Sequence, residues 1–203
     1  MAVFLKRILS SIILFPLVLY FIFADSTQLF FFTIFCFLIS YIEWYKMVRK
    51  LNYKIIGFIF LSFSFFSFYQ LAIEQIILIP LLICILTDLG GYFFGKIFKG
   101  PKLTKISPNK TLAGTVGGFF LAIAFISLYF NYLNNEITSR WIVIIILISF
   151  ISQIGDITIS YFKRLSNIKD TGNIIPGHGG LLDRIDGMIF VFPIYYLIQL
   201  STI

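Results

Sequence analysis

The chain has 203 residues, 59% of them hydrophobic and only 12% charged, with a mean hydropathy of +0.97. Soluble domains carry about 25% charged residues, so this balance excludes an ordinary soluble domain and describes an integral membrane protein. A net charge of +7 would suggest nucleic acid in a soluble protein; here the bases lie around apolar runs, and no nucleic-acid partner is expected.

A bilayer-crossing helix needs about 20 apolar residues. Seven segments qualify: 8–24, 27–45, 55–73, 76–94, 112–132, 141–162 and 186–202. The first follows Lys6 and Arg7 and imitates a secretory leader. No small-x-small cleavage site follows it and more apolar segments do, so it reads as a retained span. Trp44, Tyr45, Trp141 and Tyr161 fall near span ends, where amphipathic rings prefer the interface. Cys36 and Cys84 lie inside apolar runs with no CxxC and read as packing residues. The expected fold is an all-α polytopic bundle of about seven transmembrane helices. It forms a single integral membrane domain over 1–203, with spans at 1–86 and a catalytic part at 87–203.

With the N-terminus in the cytoplasm and one crossing per span, fifteen of the sixteen Lys and Arg residues fall on the cytoplasmic side; only Arg140 does not. Basic residues favour the cytoplasmic face, which fixes the expected orientation. Glu43, Asp88, Asp156, Asp170, Asp183 and Asp186 fall on or near the same face. A positive inner face draws anionic headgroups and nucleotides, although the bases at 46–54 read equally well as anchors. Two loops on this side are long, 95–111 and 163–185.

Residues 87–118 read "TDLGGYFFGKIFKGPKLTKISPNKTLAGTVGG". Gly90 to Lys96 imitates a Walker A loop, but Ile97 stands where Ser or Thr is required and a membrane helix precedes it, so that reading fails. Asp88 remains near the end of span four. Ser107, Lys110 and Thr111 remain at the entry to span five, a seat for an anion at a helix N-terminus. Lys96, Lys99, Lys102 and Lys105 fit surface anchoring as well as ligand contact.

Span six ends "SQIGDITISYFKR", which puts Ser152, Asp156, Ser160 and Lys163 on one stripe. Asp156 lies seven residues before Lys163, about 10 Å along a helix. A lone carboxylate at that depth costs roughly 2.5–3.5 kcal/mol, and either a metal ion or a base from another span must offset it. Asp183 and Asp186, spaced i, i+3 at the mouth of the last span, can approach Asp156 if spans six and seven pack together. Three carboxylates at one site suit a hard cation, and Mg2+ typically takes one or two carboxylates plus substrate phosphates. The plainer reading of Asp183 and Asp186 is as helix-start acids.

Between these elements "PGHGG" makes a tight turn at 176–180. Glycines there let backbone amides approach phosphate oxygens, and Lys163, Arg164, Lys169 and Arg184 add positive charge. His178, the one histidine, reads equally as loop packing or as a ligand-orienting group; alone it makes no zinc site. Acids for a cation, bases for polyphosphate and glycines for close approach describe phosphoryl or nucleotidyl transfer to a lipid. No Ser–His–Asp set or reactive cysteine points to acyl transfer. An ion-coupled membrane transporter is the rival; it requires mid-bilayer charges and repeated halves, and the sequence has neither.

Ser160, Lys163, Arg164, Lys169, Asp170, Gly172, Pro176, Gly177, His178, Gly179, Gly180, Asp183, Arg184 and Asp186 together resemble the signature of the phosphatidate cytidylyltransferases (CDP-diacylglycerol synthases). Asp88, Gly90, Tyr92, Gly95, Lys96, Ser107, Pro108, Lys110, Thr111 and Gly114 echo two further stretches of that family. The similarity spans about residues 87–193; upstream it extends to hydropathy and Glu43-Trp44. Ala113, Ile159 and Gly187 depart from the family pattern, which usually has Glu, Glu and Ser there. The resemblance implies an enzyme of phospholipid biosynthesis that converts CTP and phosphatidic acid to CDP-diacylglycerol and pyrophosphate. It implies Mg2+, with K+ as a candidate second cation, at Asp156, Asp183 and Asp186. Lys163 and His178 join the catalytic set. Arg164, Lys169, Asp170, Gly177, Gly179, Gly180, Arg184, Ser107, Lys110, Asp88 and Ser160 are expected to bind substrate. The expected setting is a bacterial inner membrane with the site on the cytoplasmic face, and a homodimer is a candidate assembly. A catalytically inactive structural member of the same fold is the second alternative.

Overall fold

The computed structural model describes residues 2–104, 107, 110–133, 137–177 and 179–201. Among them the protein is all helical: α1 (Ala2–Ile22), α2 (Ser26–Met47), α3 (Leu51–Ile73), α4 (Leu78–Phe98), α5 (Leu112–Tyr132), α6 (Ser139–Leu165), α7 (Leu182–Ile185) and α8 (Met188–Leu200). Helices α2 to α6 are each long and apolar enough to cross a membrane; in α1 and α8 the apolar stretches Ile12–Ile22 and Met188–Leu200 are shorter. The expected last span is divided: α7 precedes Asp186 and Gly187, and α8 follows. Both intervening residues keep right-handed helical angles. The run from Leu182 to Leu200 thus extends about 28 Å at 1.5 Å per residue.

The helices overrun the apolar segments at one end. α4 continues to Phe98 and α6 to Leu165, several residues past the hydrophobic stretch, because backbone hydrogen bonding persists where side chains turn polar. α4 stops where Lys99 and Gly100 adopt positive φ, 52° and 99°. Thr111 opens α5, its Oγ1 accepting from Gly114 N at 3.1 Å.

Small residues set the packing. In lipid there is little hydrophobic drive between helices, so close backbone approach supplies the contact. α4 and α5 meet through Gly90, Gly91, Gly114, Gly117 and Gly118; a Cβ on Gly90 would lie 2.6 Å from Gly117 O, and one on Gly118 2.8 Å from Thr87 O. α6 and α8 cross at Gly155 and Gly187, where a Cβ on Gly155 would lie 2.9 Å from Asp186 O. The glycines of 87–118 are therefore mainly a helix–helix seam.

Two apolar cores result. One joins Leu71, Ile83, Ala122, Ile145, Ile148 and Tyr195; the other joins Trp44, Met47, Leu61, Phe65, Ile159, Leu182 and Ile189. Ile159, a departure from the family pattern, fills this second core. Phenylalanines such as Phe31, Phe93 and Phe120 are exposed, as a lipid-facing surface requires. Because successive helices alternate in direction, the C-terminal ends of α2, α4 and α6 share one end of the bundle with the N-terminal ends of α3, α5 and α7.

Candidate active site

Two polar centres occupy that shared end. The first is a cavity of about 280 Å³ among α4, α5 and α6, lined by Thr87, Asp88, Tyr92, Ser107, Lys110 and Gln153, among others. Leu103 N is bonded to Lys110 O at 2.8 Å and Leu112 N to Pro101 O at 3.1 Å, so residues 101–103 lie against 110–112. This presents Lys110 to α6, where its Nζ donates to Asp156 Oδ2 at 2.7 Å. Of the two ways to offset the Asp156 charge, a base from a neighbouring segment is thus present. Asp186 and Asp88 are near enough to Asp156, and to each other, to interact electrostatically. A Cβ on Gly187 would lie 2.8 Å from Asp156 Oδ1 and 2.6 Å from Ser152 Oγ. Glycine at 187 keeps that space clear. Ser152 Oγ is buried against the Cys84 thiol and makes no hydrogen bond of ordinary geometry.

The second centre is the 168–183 segment. Lys163 Nζ, in the last turn of α6, donates to Asp183 Oδ1 at 2.7 Å. Asp183 Oδ2 accepts from Thr171 N at 2.7 Å and Gly180 N at 3.0 Å, with Thr171 Oγ1 also 3.0 Å away. Burial opposes ionisation of Asp183, but the Lys163 ammonium and the two amides outweigh it and hold the carboxyl below its ordinary value. Gly179 has φ 90°, and a Cβ there would meet Asp183 Oδ2 at 2.7 Å. Behind the segment, Glu43 of α2 accepts from Leu181 N at 3.0 Å, Leu182 N at 2.8 Å and Thr171 Oγ1 at 3.0 Å.

The expected residues are therefore only partly gathered. Asp156 and Asp186 meet, and Asp88, Ser107 and Lys110 share the cavity beside them. Asp183 lies apart from that pair, in the second centre, and among the described residues no three acids, cysteines or histidines form a metal-holding group. Both Asp183 oxygens serve Lys163 and the loop amides. Gly180 N–H is committed to Asp183, so this glycine makes room for the protein's own carboxylates; a Cβ there would strike Thr171 Oγ1 and Glu43. Gly177 has φ 79°. Arg164, Lys169, Asp170 and Arg184 are exposed around the segment, and Ser160 is half-buried on α6. His178 lies outside the described residues, as do Lys105 and Pro108. Glu43, Thr171 and Gln153 escaped the reading of the sequence as site residues. The signal for Glu43 was present: an acid inside an apolar run carries the same burial cost that drew attention to Asp156.

For a divalent cation, the Asp156–Asp186 pair fits the one or two carboxylates that Mg2+ uses alongside substrate phosphates. The space kept free by Gly187 lies beside that pair.

An all-helical membrane protein with paired acids and bases at one end of its bundle is the class that the fold and site define. The profile of the cytidylyltransferase family matches residues 74–201. The chain is 35% identical to the phosphatidate cytidylyltransferase of Rickettsia typhi over 207 aligned positions, covering 96% of this chain and 91% of that protein. It is 40% identical to the enzyme of the same name from Rickettsia prowazekii over 171 positions, covering 78% and 75%. Against that of Staphylococcus aureus it is 39% identical over 150 positions, covering 70% and 56%. The chain thus spans a little over half the length of the staphylococcal relative. It belongs to the cytidylyltransferase family.

Proposed function

We propose that the chain transfers the CMP moiety of CTP to phosphatidate, releasing pyrophosphate and forming CDP-diacylglycerol for phospholipid synthesis. The observation that carries this reading is the pairing of acids with lysines, Asp156 with Lys110 and Asp183 with Lys163, at one end of a lipid-facing bundle. A phosphate oxygen of phosphatidate attacks the α-phosphorus of CTP, and the bond to the β-phosphate oxygen breaks. The attacking phosphate is already ionised, so no strong base is needed; the obstacle is repulsion between two anions. Catalysis then rests on positioning and charge neutralisation.

Lys110 at the cavity and Lys163 beside Asp183 neutralise phosphate oxygens, with Arg164, Lys169 and Arg184 drawing the anions in from the surface. Mg2+ held by Asp156, Asp183 and Asp186, with K+ as a second cation, would supply further charge neutralisation when bound. Asp183 keeps Lys163 and the 168–183 segment in place. Topologically, seven spans with a cytoplasmic N-terminus in a bacterial inner membrane put this end at the cytosol, where CTP is found. The domain reads as one unit over 1–203, and a homodimer is its candidate assembly, tested by crosslinking in the membrane.

The deciding experiment supplies CTP and Mg2+ to the purified chain in micelles containing phosphatidate. Equimolar CDP-diacylglycerol and pyrophosphate are expected. Absence of CDP-lipid with any divalent ion overturns the reading and favours an inactive structural member or a transporter.

A further inference from the structure

Glu43 is 3% exposed and lies on α2, outside the region that matches the family profile. Its three hydrogen-bond donors are two backbone amides and one hydroxyl, all belonging to the 171–182 stretch far along the chain. A buried carboxylate is costly unless its oxygens are satisfied, and these donors satisfy both. Two glycines give way to it. A Cβ on Gly172 would lie 2.6 Å from Glu43 Oε1, and one on Gly180 would overlap Oε2. Thr171 Oγ1 is 3.0 Å from both Glu43 Oε2 and Asp183 Oδ2. It joins the α2 carboxylate to the one that receives Lys163.

We propose that Glu43 is a positioning residue: through Leu181 N, Leu182 N and the Thr171 hydroxyl it fixes the 168–183 segment so that Asp183 meets Lys163. This rests on the reading of this end of the bundle as the active site. Sequence order hides the link, since 128 residues separate Glu43 from Thr171. An anchor that merely attached α2 to the bundle would need one contact on α7. Glu43 instead holds both ends of the segment, and the loop glycines are shaped around it. Its influence on turnover is therefore through orientation, which lowers kcat and leaves the affinity for CTP nearly unchanged.

The test uses the full chain in lipid nanodiscs, as wild type, Glu43→Ala, Glu43→Gln and Thr171→Ser. Amide hydrogen exchange is followed by peptide, with CTP-dependent CDP-lipid formation measured on the same preparations. In Glu43→Ala, exchange over 168–186 is expected to quicken by about tenfold or more while α4 and α5 keep their protection. kcat is expected to fall at least about tenfold with KM for CTP within about threefold. Glu43→Gln, which keeps one acceptor, falls between, and Thr171→Ser, which keeps the hydroxyl, matches wild type. If Glu43→Ala does not accumulate, Glu43→Gln carries the same comparison. Unchanged exchange over 168–186, or a kcat within twofold of wild type, overturns the proposal. A wild type that makes no CDP-lipid overturns the proposed function instead, and the exchange result then decides the role of Glu43 by itself.

Discussion

Asp156 and Asp183 are both acids near the membrane surface, yet their surroundings differ. Asp156 has one lysine and an acidic neighbour, beside a cavity; Asp183 has both oxygens engaged, by Lys163 and by two loop amides. Substitution should separate them. Asp156→Asn is expected to abolish high-affinity Mn2+ binding by the purified chain, read by electron paramagnetic resonance; retained binding would remove Asp156 from the cation site. Asp183→Asn is expected to abolish CDP-lipid formation while folded protein still accumulates in the membrane. Lys163→Met breaks a largely buried pair, a change that costs about 3–5 kcal/mol in comparable cases, and thermal melting in detergent should register it. Lys46, exposed near the end of α2, is the control: Lys46→Ala should leave turnover within about twofold, since isolated surface charges contribute little.

The same Asp183 carries a pH dependence. Its folded-state value is depressed, so the unfolded chain binds more protons than the folded one in the acid range. The stabilisation is complete above the ordinary carboxylate value and disappears as pH falls through the folded-state value. Melting temperature should therefore drop on acidification in the wild type. That drop should be shallower in Asp183→Asn, which has no carboxyl to titrate; identical slopes would refute this account.

At the scale of elements, the crossing of α6 and α8 controls how Asp156 and Asp186 meet. Gly155 and Gly187 bring the two backbones together, and a methyl group on Gly187 would contact Ser152 Oγ and Asp156 Oδ1. Gly187→Val is expected to lower the melting temperature, with overpacking costing about 1–3 kcal/mol, and to reduce turnover further than stability alone explains. An active, equally stable Gly187→Val protein would show that the crossing tolerates separation. The helices themselves were largely legible from hydropathy: the expected segments 27–45, 55–73, 76–94, 112–132 and 141–162 coincide with α2 to α6, with ends displaced by a few residues. Their overrun at α4 and α6 was not legible, because hydropathy marks where side chains meet lipid and helical hydrogen bonding continues beyond. The division of the last span at Asp186-Gly187 was also hidden, since an acid and a glycine can open a helix as easily as interrupt one.

For the whole molecule, the sequence placed the charged residues at one end of the bundle and left the contacts among them hidden. The bases and acids of 88, 110, 156, 163, 183 and 186 do collect at one end of the bundle, as their positions relative to the apolar runs require. What could not be read was partnership. Lys110 answering Asp156, and Glu43 answering Thr171, join residues 46 and 128 positions apart, and single-sequence spacing carries no information at such distances. The glycines illustrate the limit. Gly179 and Gly180, read as letting amides approach phosphate, also make space for the Asp183 and Glu43 carboxylates, and the two functions look identical in a string of letters.

One neighbour of Glu43 has a practical use. Trp44 stands over Gly57, donates its indole N–H to Tyr53 O at 2.9 Å and meets the Phe162 ring edge-on at 4.8 Å. The chain has only two tryptophans, and the other, Trp141, begins α6 at the opposite end. With Trp141 replaced by phenylalanine, intrinsic fluorescence becomes a single-site optical gauge of the junction between α2 and α6, a label already built into the polypeptide.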